Sequence, residues 1–285
     1  MITPVFRPNR PRPNLLGSRT LRPAPAPPKI DPPAPEPKQE LPKIEQSGSK
    51  RLKIELYTFV LNDETILPYF LKHYEPLVDK MTFIDSGSTD GTLKLLKGHK
   101  VIQTGLTWWD WDAYQQIRDN IWRKSKYDLI FFPDADEILY KKNLRYFLET
   151  YQYPIYQMRG YQMVSKGLPK KGDNILSIKT GFPLPLYDKF SIFSPKARIH
   201  FDNAHTVTTD EKDICKFHIQ LLHYKFIDIP LLLKRAELIK KRVPKDSYCK
   251  IIKGNILVEY QGFVRTEKQY TEEMTQMLRK AIPVI

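Results

Sequence analysis

Cysteine is nearly absent: Cys215 and Cys249 are the only two in 285 residues. Two thiols supply neither a disulfide framework nor a zinc cluster, and they fit a reducing compartment. No run reaches the ~18 consecutive apolar residues of a membrane span. The longest candidate, 214–233, is broken by Lys216, His218, His223, Lys225, Asp228 and Pro230. The N-terminus carries basic residues without the apolar segment of a secretory signal, and no internal repeat is visible. These absences predict a soluble, cytoplasmic protein. Acid is missing from the first thirty residues, which hold Arg7, Arg10, Arg12, Arg19, Arg22 and Lys29.

Proline, by contrast, is concentrated. Thirteen of the 24 prolines lie in residues 1–50. Proline fixes φ and removes a donor, so this stretch predicts a disordered or polyproline-like arm rather than helix or sheet. It reads either as a docking arm for an acidic partner or nucleic acid, or as a soluble linker. The whole chain has a formal charge of +14 and a pI near 9.5. That balance favours anionic partners, from nucleic acid to a nucleotide substrate, without choosing among them.

Beyond residue 50 the pattern is that of an α/β domain over 51–285, with a nucleotide-binding half at 51–150, an acceptor half at 151–245 and a helical closure at 246–285. Strands are expected at Ile54–Leu61, Lys80–Ile84 and Val101–Gln103, alternating with helices at Thr65–Tyr74 and Leu93–Lys97. Such alternation predicts a parallel sheet. All four tryptophans fall between 108 and 122, either filling a hydrophobic corner or stacking on a sugar or base. A helix is expected over Ala113–Lys126, and another over Asn143–Tyr151. From Pro154 the chain reads as loop-rich and more antiparallel. Strands are expected at Tyr156–Val164, Ile175–Lys179, Asp188–Phe193 and Leu221–Phe226, and closing helices at Pro230–Arg242 and Glu267–Ile282.

The stretch Asp128-Leu129-Ile130-Phe131-Phe132-Pro133-Asp134-Ala135-Asp136-Glu137 organises the rest. Its apolar run predicts a buried parallel strand whose carboxyl end carries three acids. Open α/β sheets bind ligands at that edge. In extended backbone Asp134 and Asp136 would point the same way, suited to a hard divalent cation such as Mg²⁺ or Mn²⁺. The plainer reading is an acidic loop in which Asp134 caps a helix.

Four pieces of sequence, taken together, resemble the GT-A glycosyltransferases, especially family 2, over about residues 53 to 240. They are Asn62-Asp63-Glu64 with Leu67-Pro68; Asp85-Ser86-Gly87-Ser88-Thr89-Asp90-Gly91-Thr92; Gln115-Gln116-Ile117-Arg118-Asp119-Asn120 ahead of Asp134-Ala135-Asp136-Glu137; and Leu222-His223-Tyr224. The resemblance implies a GT-A (Rossmann-like) mixed sheet flanked by helices. It also implies a nucleotide-sugar donor, a UDP-sugar above others, held by Asn62, Glu64, Asp85, Arg118 and Asp134. It implies Mn²⁺ or Mg²⁺ on Asp134, Asp136 and His223, although His223 alone reads equally as an ordinary strand histidine. An inverting transfer would need a carboxylate base. The Glu-Asp base motif of the family is missing at its usual place. Asp202 is the first candidate, with Asp210 and Glu211 behind it. The acceptor would be a glycan, a protein or a modified nucleic-acid base. Two other readings stay open: an inactive GT-A-fold binding protein tethered by its basic arm, and a nucleotidyltransferase.

Overall fold

A computed structural model describes residues 51–106, 111–203, 205–225, 227–242 and 267–285. The proline-rich arm, Trp108, Trp109, Cys249 and the start of the expected closure lie outside the described residues.

The first half folds as the alternation predicts. β1 (Ile54–Val60), α1 (Leu67–Tyr74), β2 (Lys80–Asp85), α2 (Thr92–Leu95), β3 (Lys100–Gln103), α3 (Trp111–Asn120) and β4 (Leu129–Phe131) follow one another. All four strands are parallel, with β1 between β2 and β4 and β3 outside β2. β1 is central and buried on both faces. Ile54, Leu56 and Val60 join a core with Phe70, Tyr74 and Phe83, while Tyr57 joins a second core with Trp122, Phe132 and Phe193. This double burial is why its sequence is a near-continuous apolar run. The one acid in it, Glu55, is buried and held by Lys80 (2.6 Å) and Ser125 (2.6 Å).

The second half extends the same sheet. β5 (Glu137–Tyr140) and α4 (Leu144–Thr150) lead to β6 (Ile155–Met163), then β7 (Thr180–Pro183), β8 (Ile192–Phe193) and β11 (Ile214–His223). β8 lies antiparallel between β4 and β6, and so joins the two halves. β11 runs parallel to β6 and antiparallel to β5. β9 (Ile199–Phe201) and β10 (Val207–Thr209) form a separate hairpin. α5 (Ile229–Arg242) packs on α6 (Glu267–Lys280) through Leu232 and Met274, and β12 (Ile282–Pro283) pairs with β7. Among the described residues no helix is long and apolar enough to cross a membrane.

Three local expectations change. Ile175–Lys179 is a 3-10 turn over Ile175–Ser177, capped by Asn174 Oδ1 accepting from Leu176 N (2.9 Å). Its buried Ile175 and Ile178 are spaced by three, the period of that turn rather than of a strand. Within Asp188–Phe193 only Ile192–Phe193 is regular strand. The late strand is longer than expected and ends at His223, with an irregularity between Lys216 and Gln220. Trp122 is fully buried against Phe193, the corner-filling alternative.

Candidate functional site

The order β3-β2-β1-β4 reverses direction between β1 and β4, and ligands of open α/β sheets bind at the carboxyl ends beside such a reversal. Asn62, Asp63 and Glu64 follow β1, Asp85 ends β2, and Asp134 and Asp136 follow β4. The sheet topology therefore brings these groups to one edge.

The loops after β1 and β2 are stitched by backbone amides. Asn62 sits at φ 55°, a left-handed conformation that asparagine tolerates. Its Oδ1 accepts from Thr89 N (2.6 Å) and Asp90 N (3.3 Å). Asp85 is buried and accepts from Gly87 N (3.1 Å) and Ser88 N (3.1 Å). Glu64 Oε2 accepts from Gly91 N (2.7 Å). Tyr114 of α3 donates to Ser86 and ties that helix to the same loops.

The acids after β4 are arranged differently. Residues 134–137 form a turn, with Glu137 N donating to Asp134 O (3.0 Å). Asp134 and Asp136 thus leave the extended geometry that would aim them at one point. Asp134 is gripped by Arg118 (2.9 Å) and Lys189 (2.7 Å), and Lys189 also reaches the fully buried Glu137 (2.5 Å). The Arg118 guanidinium lies 4.6 Å from the Phe132 ring centroid. Burial opposes charge on Asp134, but Lys189 and Arg118 outweigh it and hold its carboxyl well below the usual range. Glu137 goes the other way: burial, reinforced by Asp134 and Asp136, raises it despite Lys189. Gly160 admits the Lys189 segment, because a Cβ there would collide with the Tyr187 backbone.

Asp136 faces a second pair of partners. Its Oδ2 accepts from Arg235 Nη1 (2.8 Å), and its Oδ1 lies 3.7 Å from His223 Nε2. Tyr224 N donates to Asp136 O (2.8 Å), which fixes the turn against the end of β11. His223 Nδ1 meets Gln162 Oε1 (2.8 Å) and its ring lies on Tyr187 at 4.1 Å. Burial lowers the His223 pKa to about 3, so the ring is neutral at neutral pH. A neutral ring donates from Nδ1 to Gln162 and presents a lone pair at Nε2. Burial works against charge on Asp136, yet His223 and Arg235 bring its pKa to about 2. With the ring uncharged at neutral pH, Arg235 carries that pairing.

Asp136 and His223 fit a divalent cation as adjacent ligands. Bonds of about 2.1 Å at right angles place donor atoms about 3 Å apart, a small closure from the observed separation. Asp134 is turned to Arg118 and Lys189 instead. Among the described residues no group of three or more His, Cys, Asp or Glu converges as a metal-binding set.

The remaining candidate stands apart. Asp202 lies exposed on the β9–β10 hairpin, where its carboxylate accepts from Thr208 Oγ1 (3.0 Å). Asp210 and Glu211 pair with Arg198 (3.0 and 3.7 Å). The hairpin nonetheless borders the cluster, since Phe201 lies 5.9 Å from the Arg118 guanidinium. His205 lies 5.7 Å from Tyr187 and its Nδ1 has no hydrogen-bond partner among the described residues. Sequence reasoning missed Lys189, Gln162 and Arg235. The signal was slight: Lys189 follows Asp188 and stands at the head of the largely apolar run Phe190-Ser191-Ile192-Phe193.

No protein-family model matches the chain and no curated protein matches it. Among solved structures, glucosyl-3-phosphoglycerate synthase from Mycobacterium tuberculosis, in complex with Mn²⁺, UDP-glucose and phosphoglyceric acid, is 20% identical over 39% of this chain and 44% of its own, with a TM-score of 0.27. The same synthase with UDP is 19% identical over 41% and 46%, with a TM-score of 0.25. The inositol-1-phosphate CTP transferase from T. maritima is 9% identical over 62% and 89%, with a TM-score of 0.27. The matched region is less than half the length of either synthase chain. Likenesses this slight place the chain in no family.

Proposed function

We propose that this chain is a GT-A-type, metal-dependent glycosyltransferase that moves a sugar from a nucleotide-sugar donor, a UDP-sugar first, to a hydroxyl acceptor with inversion. The observation that carries the reading is the pairing of Asp136 with a neutral, oriented His223 beside the strand reversal that also collects Asn62, Glu64, Asp85, Arg118 and Asp134. The loops of Asn62, Glu64 and Asp85 hold the nucleoside, and Arg118 with Asp134 lies next to it. Asp136 and His223 would hold Mn²⁺ or Mg²⁺, and Asp134 would join them only by leaving Arg118 and Lys189; histidine suits Mn²⁺ better. Bound there, the metal neutralises charge on the departing diphosphate.

In the transfer an acceptor oxygen bonds to the anomeric carbon as the carbon–phosphate-oxygen bond breaks. The electron pair leaves with the diphosphate and the acceptor proton goes to a base. Lys189 and Arg118 offset the charge of Asp134 and Glu137, so that these acids do not oppose the charge growing on the leaving group. The acceptor, a glycan, a protein or a modified nucleic-acid base that carries a hydroxyl, enters past the β9–β10 hairpin, with Asp202 as the candidate base and His205 beside Tyr187.

A second reading has its own support: each carboxylate of the 134–137 turn is paired to a cation of the chain itself. It makes the chain a binding protein that retains the fold without transfer.

Thermal denaturation with a panel of nucleotide sugars, with and without Mn²⁺, separates the two. A donor at a hundred times its Kd adds about 2.7 kcal/mol of stability. Asp136→Asn removes the Mn²⁺-dependent part and leaves the fold intact. No stabilisation by any donor, with or without Mn²⁺, favours the binding-protein reading. Release of pyrophosphate in place of a nucleoside diphosphate would make the chain a nucleotidyltransferase.

A further inference from the structure

Two adjacent residues of α5 contact acids from three separate loops. Arg235 Nη1 donates to Asp136 Oδ2 (2.8 Å) and its Nη2 to Asp63 Oδ1 (3.2 Å), which spans the reversal between β1 and β4. Lys234 Nζ donates to Glu64 Oε1 (2.6 Å) and lies 3.6 Å from Asp90. The Arg235 side chain is 16% exposed and that of Lys234 45%, so the first is a largely enclosed fork and the second an outer charge. α5 is fixed at its start by Asp228 Oδ1, which accepts from Leu231 N (2.9 Å), and by its packing on α6.

We propose that Arg235, assisted by Lys234, is the cation that holds the donor's diphosphate, exchanging Asp136 for phosphate oxygens when a divalent cation binds Asp136 and His223. The inference rests on the donor-site reading above.

Three features support it. A guanidinium fork spans two phosphate oxygens as readily as it spans two carboxylates. The two Asp136 oxygens serve different partners, Oδ1 toward His223 and Oδ2 toward Arg235. A divalent cation on the first weakens the second pairing, because it sets two positive charges beside the guanidinium. Finally, a diphosphate on that metal would bring oxygens within reach of a fork that is already desolvated. A purely structural bolt between α5 and the sheet behaves differently, since its loss would weaken every ligand alike.

The test uses the full chain and isothermal titration with Mn²⁺ alone, then with inorganic pyrophosphate and a set of nucleoside diphosphates in saturating Mn²⁺. In Arg235→Gln, Mn²⁺ alone binds about tenfold more tightly, because a competing cation is gone. Pyrophosphate then binds about tenfold to a hundredfold more weakly, the loss of a charge-assisted contact. Arg235→Lys, which keeps the charge without the fork, falls between the two and carries the test if Arg235→Gln does not fold. Weaker Mn²⁺ binding, or unchanged pyrophosphate binding, overturns the exchange and leaves the donor site standing. A wild-type chain that binds neither Mn²⁺ nor any diphosphate overturns the donor-site reading itself.

Discussion

After β1 and β2 every acid accepts from backbone amides, with a cation of α5 added at Asp63, Glu64 and Asp90, whereas after β4 Asp134 and Asp136 are held by side-chain cations from distant segments. Asp85 accepts from amides two and three residues ahead of it. Asp134 depends on Arg118 and Lys189, 16 and 55 residues away, and Asp136 on Arg235, 99 residues away. An amide partner comes with the turn and cannot leave it. A cation partner is positioned by packing and can be traded for a metal or a phosphate. The first kind of loop suits a rigid nucleoside seat, the second a centre whose charge balance changes when ligands arrive.

The comparison breaks most visibly at Lys189. Its side chain is 4% exposed and serves two acids, so Lys189→Met leaves Glu137 uncompensated and Asp134 with Arg118 as its remaining cation. Breaking such a buried pair costs about 3–5 kcal/mol. Asp134 is 34% exposed, so the lower end of that range is expected, read by urea denaturation. Adding Glu137→Gln recovers part of it. A loss as small as that of a surface pair would show that solvent screens both acids.

Asp85→Ala tests the other region. It strands two amides of the loop and costs about 1–3 kcal/mol, with no change in Mn²⁺ affinity. A fall in Mn²⁺ affinity equal to that of Asp136→Asn would erase the distinction between the two loops.

Acid titration gives a smaller, graded effect. Burial lowers His73 and His205 to about 4 and His223 to about 3. An unfolded histidine titrates near about 6.5, so the unfolded chain binds more protons in the intervening window. The stability these rings contribute is complete above that value and is lost as pH falls through the folded pKa values. Glu137, raised in the fold, has the opposite slope: its contribution is lost as pH rises through its raised pKa. Denaturation midpoints should therefore fall on acidification from neutral pH, and more steeply in Glu137→Gln. A flat profile would place the three rings in solvent.

The smallest effect is expected at Lys234. It is 45% exposed and its partner Glu64 39%, and such surface pairs contribute little. Lys234→Ala should leave the denaturation midpoint unchanged within error while weakening diphosphate binding less than Arg235→Gln does. A clear loss of stability would make Lys234 a structural residue.

The parallel half of the fold was legible because each element carries its own pattern. β1 and β4 are apolar runs of strand length, α1 has helical spacing, and the glycines and hydroxyls of 85–92 mark the turn that follows β2. Asp63, Asp85 and Asp90 belong to the same class, since each accepts from an amide two residues away, whereas the amide on Glu64 comes from 27 residues along the chain. In the second half the strand expected at Ile175–Lys179 is a 3-10 turn; the spacing of Ile175 and Ile178 is that of the turn, but two buried positions are too few to announce it. The aim of Asp134 and Asp136 was also misjudged, because a two-residue alternation holds only where backbone stays extended.

What the sequence by itself determined is therefore local: the α/β alternation, the acids at the end of β4, and the loops that cap themselves. Only the tertiary structure decided which cation meets which acid. Lys189 reaches Asp134 and Glu137 because Gly160 lets its segment lie close over β6, and Arg235 reaches Asp136 because α5 packs beside the reversal between β1 and β4. Charge pairing acts over ångströms in space and has no period along the chain, so no pattern of residues announces it before the fold brings the partners together.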